Sequence, residues 1–166
     1  MMKIRTLTLV LLVSAGSACM PPPPPPPPAP VPLPPPPPPL TTEEMERTAE
    51  EQARRSWEQA TALGRQGRWR EAEGLLRTAV QQRPSNHTYH LALSNALVQQ
   101  SRDSEAADAL WAGIRVQEAV PSPNHRVLVV DYERLVELLT RVGRASEAQQ
   151  ARARQAEHRR LRDAAP

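Results

Sequence analysis

The chain has 166 residues, 20 of them proline, and 16 of those prolines lie between Pro21 and Pro39; that stretch is excluded from any packed core, which leaves about 125 residues for one folded domain. Phe is absent and aromatic residues make up only 3%, which argues against a β-sandwich and for helices packed through Leu, Val and Ala. The formal charge of +3 falls to about +1 without Lys3 and Arg5, which sit in a segment expected to be removed, so the balance gives no support to nucleic-acid binding.

Residues 1–18 have the layout of a secretory signal: Lys3 and Arg5, an apolar run from Leu7 to Val13, then Ser14, Ala15, Gly16, Ser17 and Ala18. A bilayer span needs roughly 20 apolar residues, so this run is a signal and not a permanent anchor. Cys19 is the only cysteine, and no intramolecular disulfide can form. Residues 19–40 then carry the proline run, broken only by Ala29, Val31 and Leu33. Proline lacks an N–H and fixes φ near the polyproline II value, so a disordered or polyproline II linker is expected, with a reach of roughly 60 Å. It serves either as a spacer or as a ligand for an aromatic groove.

From residue 41 to 166 the pattern is helical. Thr41 and Glu44 fit a capping box, which predicts a helix from there to about Gln66. A second helix follows from about Arg68 to Gln82, stopped by Pro84. Ser85 or Asn86 caps a third, His87 to Gln100, and a fourth runs from about Asp103 to Ala119. Ser122 and Pro123 offer a cap and a first-turn proline for a fifth, whose Tyr132, Leu135, Val136 and Leu139 recur at i, i+3, i+4, i+7. The last helix, about Ala145 to Arg162, is more polar, as a terminal helix with one wet face would be.

One segment recurs. Gly67-Arg-Trp-Arg-Glu-Ala72 is echoed by Ser101-Arg-Asp-Ser-Glu-Ala106 and by Gly143-Arg-Ala-Ser-Glu-Ala148, at intervals of 34 and 42 residues. An interval of 34 residues resembles the tetratricopeptide repeat, a helix, a tight turn and a second antiparallel helix. The resemblance covers roughly residues 45–160: Ala60, Leu63, Ala72, Ala79 and Pro84 match the family pattern in the first repeat, with Leu76 in place of its usual aromatic residue, whereas Ser94 and Gly113 depart from it in the second. It implies an all-α domain of about three antiparallel helix pairs in a right-handed superhelix, with a concave face lined by the first helix of each pair. On the family pattern the groove positions are Arg54, Trp57 and Thr61, then Leu91, Asn95 and Gln99, then Val130, Glu133 and Glu137. Only Asn95 matches the carboxylate-gripping members. Glu133 and Glu137 stand one turn apart and would repel a carboxylate, so the groove is expected to have apolar, polar and acidic walls.

Gly16-Ser17-Ala18-Cys19 resembles the lipobox of bacterial lipoproteins, with Gly16 where that family usually has Leu. The resemblance implies cleavage before Cys19 and acylation of its thiol; the alternative is ordinary cleavage near Ala18. His87 and His90 have metal-compatible spacing, but no Cys or nearby third His completes a site, so a surface pair and no metal is expected. Arg141, Arg144, Arg152, Arg154, Arg159, Arg160 and Arg162 make the C-terminus locally basic, read as a solvated end face. There is no Ser/His/Asp signature, Gly-rich phosphate loop or H-E-x-x-H motif, and neither an enzyme nor a cofactor is expected.

The expectation is a non-catalytic adaptor in a bacterial envelope assembly, such as a secretion, pilus or outer-membrane complex. It is held at the outer membrane through Cys19, faces the periplasm, and takes a protein partner but no nucleic acid or small-molecule substrate. The alternative is a structural spacer lipoprotein bridging membrane and cell wall.

Overall fold

The computed structural model describes residues 41–164; the expected signal, Cys19 and the proline-rich segment lie outside the described residues. Six helices follow one another: α1 Thr42–Arg65, α2 Trp69–Gln82, α3 His87–Val98, α4 Asp103–Glu118, α5 His125–Arg141 and α6 Ala145–Ala164. Among the described residues there is no strand. Each helix packs on the next, and helices further apart in the chain make at most a marginal contact. The linking segments are short enough that successive helices must run back along one another.

The helix starts follow from side-chain caps. Thr41 and Glu44 form the expected capping box: the Thr41 amide donates to Glu44 Oε2 at 2.9 Å and the Glu44 amide donates to Thr41 Oγ1 at 3.3 Å. Asn86, one of the two residues predicted for the task, caps α3 by accepting from the Thr88 amide at 3.0 Å. At α5 the prediction fails. The cap is Asn124 and not Ser122, and its Oδ1 accepts from the amides of Arg126 and Val127, both at 3.2 Å. One acceptor thus serves two of the free N–H groups that any helix leaves at its N-terminus.

The recurring six-residue segment folds the same way three times. Gly67, Ser101 and Gly143 all take the left-handed conformation, with φ of +75°, +60° and +77°. The amide of the next Arg donates to the carbonyl five residues back: Arg68 to Leu63 at 3.0 Å, Arg102 to Leu97 at 3.0 Å, Arg144 to Leu139 at 2.9 Å. This satisfies carbonyls that the helix end would otherwise leave unpaired. The same Arg turns its Nε onto the Glu three residues on, at 2.7 Å in every case, and that carboxylate sits in the first turn of the following helix, where the macrodipole favours it. The alanine closing each segment is buried between paired helices.

Small residues set the close approach of each pair. A Cβ on Gly64 would lie 2.6 Å from the Trp69 ring, and one on Gly113 would lie 2.9 Å from His90 Cβ. Ser94, at the small position of the second pair, donates its hydroxyl to the Ala106 carbonyl at 2.8 Å and so is satisfied although buried. The core also contains Leu76, Leu93, Leu97, Leu110, Ile114, Leu128, Tyr132, Leu135, Leu138 and Leu139. Truncating a residue such as Leu135 to Ala would cost about 2–5 kcal/mol.

Candidate binding groove

Two depressions lie side by side on the faces presented by α1, α3 and α5. The first, about 270 Å³, is walled by Thr61, Gly64 and Arg65 of α1, by Trp69 and Leu76 of α2, and by Ala92 and Asn95 of α3. The second, about 280 Å³, is walled by Leu91, Asn95 and Val98 of α3 and by Arg134, Glu137, Leu138 and Arg141 of α5, with Leu110 of α4 among its lining residues. Asn95 belongs to both, and its exposed side chain stands where they meet. The lining of the first is mainly apolar, whereas that of the second is about equally polar and apolar; water released from the apolar part is the general source of affinity for an apolar segment laid across it.

Of the nine positions expected to face this groove, Thr61, Leu91, Asn95 and Glu137 line the two depressions. Trp57 lies one turn before Thr61, whose hydroxyl donates to the Trp57 carbonyl at 2.8 Å. Its ring is half-buried against Tyr89, with centroids 6.2 Å apart. Arg54 is exposed and paired with Glu58 at 2.8 Å. Gln99 opens onto a different depression, beside Gly67, Arg68 and Arg102. Val130 and Glu133 are exposed and lie outside both walls.

Arg65, Trp69, Arg134, Leu138 and Arg141 also line the depressions, although none is among the positions expected from the sequence. Three of these, with Glu137, form one stripe on α5 at i, i+3, i+4 and i+7, a spacing that was present in the sequence. Their inclusion revises the expected electrostatics. Glu137 has Arg134 one turn before it and Arg141 one turn after it in the same wall, and Arg141 Nε bonds Asp103 Oδ2 at 2.8 Å. Among the described residues, Arg65 and Arg134 enter no ion pair. The polar rim therefore offers cations as well as Glu137, in place of a simply acidic wall.

The four histidines stand elsewhere, and their placement differs from a surface pair. His90 is buried and its Nε2 donates to the Pro84 carbonyl at 2.8 Å. His87 Nε2 meets Oδ2 of the buried Asp131 at 2.7 Å. His125 and His158, 33 residues apart in the chain, bring their Nδ1 atoms to 3.0 Å, and His158 Nε2 meets Glu118 Oε1 at 2.9 Å. Tyr132 donates its hydroxyl to the same Glu118 oxygen at 2.8 Å. Burial, and then this bond, raises the Tyr132 phenol well above its ordinary value.

Among the described residues, no three His, Cys, Asp or Glu side chains converge as a metal site. Among the same residues, no helix is long and apolar enough to cross a membrane. No protein-family model matches the chain, and no curated protein matches it.

Proposed function

We propose that residues 41–164 are a tetratricopeptide-like interaction module, three helix pairs in a right-handed superhelix, and that the chain is a non-catalytic adaptor which recruits a protein component of a bacterial envelope assembly. The observation that carries the reading is the threefold turn: Gly67–Ala72, Ser101–Ala106 and Gly143–Ala148 share backbone conformation, the same amide-to-carbonyl bond and the same Arg–Glu contact. A unit repeated in this way stacks its first helices side by side, and the two depressions joined at Asn95 lie along that row. A groove of this kind takes an extended segment or a helix from a partner.

Placement in the envelope rests on Lys3, Arg5, the apolar run and the small residues before Cys19. Acylation at Cys19 would tether the module to a membrane, and the prolines that follow would hold it off the surface. The test is co-purification from the native envelope with the parent chain, Leu91→Asp and Asn95→Trp, the last filling the junction of the two depressions. A partner recovered with the parent and lost with both variants supports the adaptor; equal recovery from all three removes the groove from the account. Mass spectrometry of the N-terminal peptide tests the anchor, since an unmodified Cys19 ends that part of the reading.

A further inference from the structure

We infer that His125 of α5 and His158 of α6 form an acid-released clasp on the last helix pair. The bond between their Nδ1 atoms holds while the two rings carry at most one added proton between them, and it opens when both are protonated. The nitrogens are 3.0 Å apart. The ring centroids are 5.3 Å apart and the ring planes are inclined by 29°, so the two nitrogens meet head-on. Such a contact is an N–H···N bond, and it needs one donor and one acceptor.

The carboxylate on α4 sets the starting state. An ionised carboxylate can only accept, so His158 Nε2, 2.9 Å from Glu118 Oε1, carries a hydrogen. In the neutral ring this leaves Nδ1 as an acceptor, and the hydrogen of the clasp comes from His125 Nδ1. One added proton keeps the bond whichever ring takes it, because one of the two Nδ1 atoms is still an acceptor. A second leaves none: two N–H groups point at one another and two like charges stand side by side. The surroundings balance one of those charges only. Tyr132 of α5 donates to the same Glu118 oxygen at 2.8 Å, and burial holds its phenol above its ordinary value, so it remains a neutral donor. On α6, Arg154 and Glu157 pair with each other at 3.4 Å. Arg126 and Arg159, next in sequence to the two rings, add positive charge at the exposed surface. Glu118 can therefore offset one imidazolium and not two.

The two rings are held unequally, which decides the one that leaves. His158 is 7% exposed, is bonded at Nε2 and lies nearly parallel to the Tyr132 ring, with centroids 5.6 Å apart. His125 is half-buried and is the first residue of α5, a helix end whose free N–H groups disfavour a cation. The doubly protonated pair thus parts by releasing His125 to water while His158 stays with Glu118. The start of α5 then separates from the last turns of α6, a local opening that precedes unfolding of the whole domain. Nothing in this inference depends on the groove or on a protein partner.

The test is amide hydrogen exchange on the untagged full chain at about pH 7.5 and about pH 5, a span over which histidine changes charge, with rates corrected for the intrinsic pH dependence of exchange. Protection in the last turns of α6 should fall at least about tenfold at the lower pH, while protection in α1 and α2 changes little. His125→Phe keeps a ring but has no bond to lose, so its protection in α6 should not depend on pH over that span. His87→Gln, which keeps a donor toward Asp131, should behave as the parent does. The bond itself is read by nuclear magnetic resonance of the isotope-labelled parent, as a coupling across the hydrogen bond between the two Nδ1 nuclei that is present at the higher pH and absent at the lower. No fall in protection, a fall that His125→Phe retains, or no coupling at the higher pH overturns the clasp. Because the coupling is measured on the parent, a variant that fails to fold does not remove the test.

Discussion

Arg102, in the turn before α4, places Nη1 2.5 Å from Oε2 of Glu73 on α2, so the second turn is bonded to the first helix pair. Arg144 makes the equivalent reach to Asp108 of α4 at 2.6 Å. Glu73 also accepts from Gln100 at 2.9 Å and from Arg77 at 2.9 Å. Burial alone would raise the Glu73 carboxyl, but the bonds from Gln100, Arg77 and Arg102 outweigh it and hold the group below its ordinary value. Because the folded-state value is depressed, the stabilisation is present above the value of the unfolded carboxyl and is lost as pH falls through the folded one. Glu73→Gln is expected to cost about 1–2 kcal/mol at pH 7. Urea midpoints of parent and variant should converge as the pH falls below the ordinary carboxylate range.

Ser101 occupies the left-handed position that Gly67 and Gly143 fill elsewhere. A side chain there carries a steric cost that glycine escapes. Ser101→Gly should stabilise the protein by about 0.5–1 kcal/mol, and Gly143→Ala should destabilise it by about 1 kcal/mol. Thermal unfolding of the two variants checks both signs.

Asp131 is 2% exposed and its carboxylate meets His87 Nε2 at 2.7 Å. His87→Ala removes that partner and leaves a buried carboxylate, at a cost of about 3–5 kcal/mol. The double variant His87→Ala with Asp131→Ala should recover a good part of the loss. A double-mutant cycle in urea measures the coupling between the two positions.

Tyr132 tests the alkaline side. Its raised phenol means that stability is full below the unfolded tyrosine value, near pH 10, and declines as pH rises through the folded one. Tyr132→Phe is expected to cost about 1 kcal/mol at pH 7 through the lost bond to Glu118. Its deficit relative to the parent should shrink above about pH 10, as read from urea midpoints across that range.

The turns were legible because their signal is local. A Gly or Ser, an Arg, a Glu three residues after the Arg and a closing Ala all lie within six positions, and the Arg makes its bonds inside or next to the segment. The start of α5 was misread because both Ser122 and Asn124 are good caps; Asn124 reaches two amides from one oxygen. The groove wall on α5 was misplaced for a different reason. The rotation of that helix is set by Leu128, Tyr132, Leu135 and Leu139, all buried, which aims Arg134, Leu138 and Arg141 into the depression and leaves Val130 and Glu133 outside it. The histidine contacts span 33 residues for His125 with His158 and 44 for His87 with Asp131, and no local pattern announces pairings at such separations.

The most direct measurement of the central claim is site-specific photo-cross-linking in cells, with the reactive side chain at Asn95, where the two depressions meet, and at Gln149, exposed on α6. A recruiting groove predicts one discrete protein adduct from position 95, none from position 149, and loss of the adduct when Leu91→Asp is added. Equal labelling at the two positions, or an adduct at 95 that survives Leu91→Asp, contradicts it.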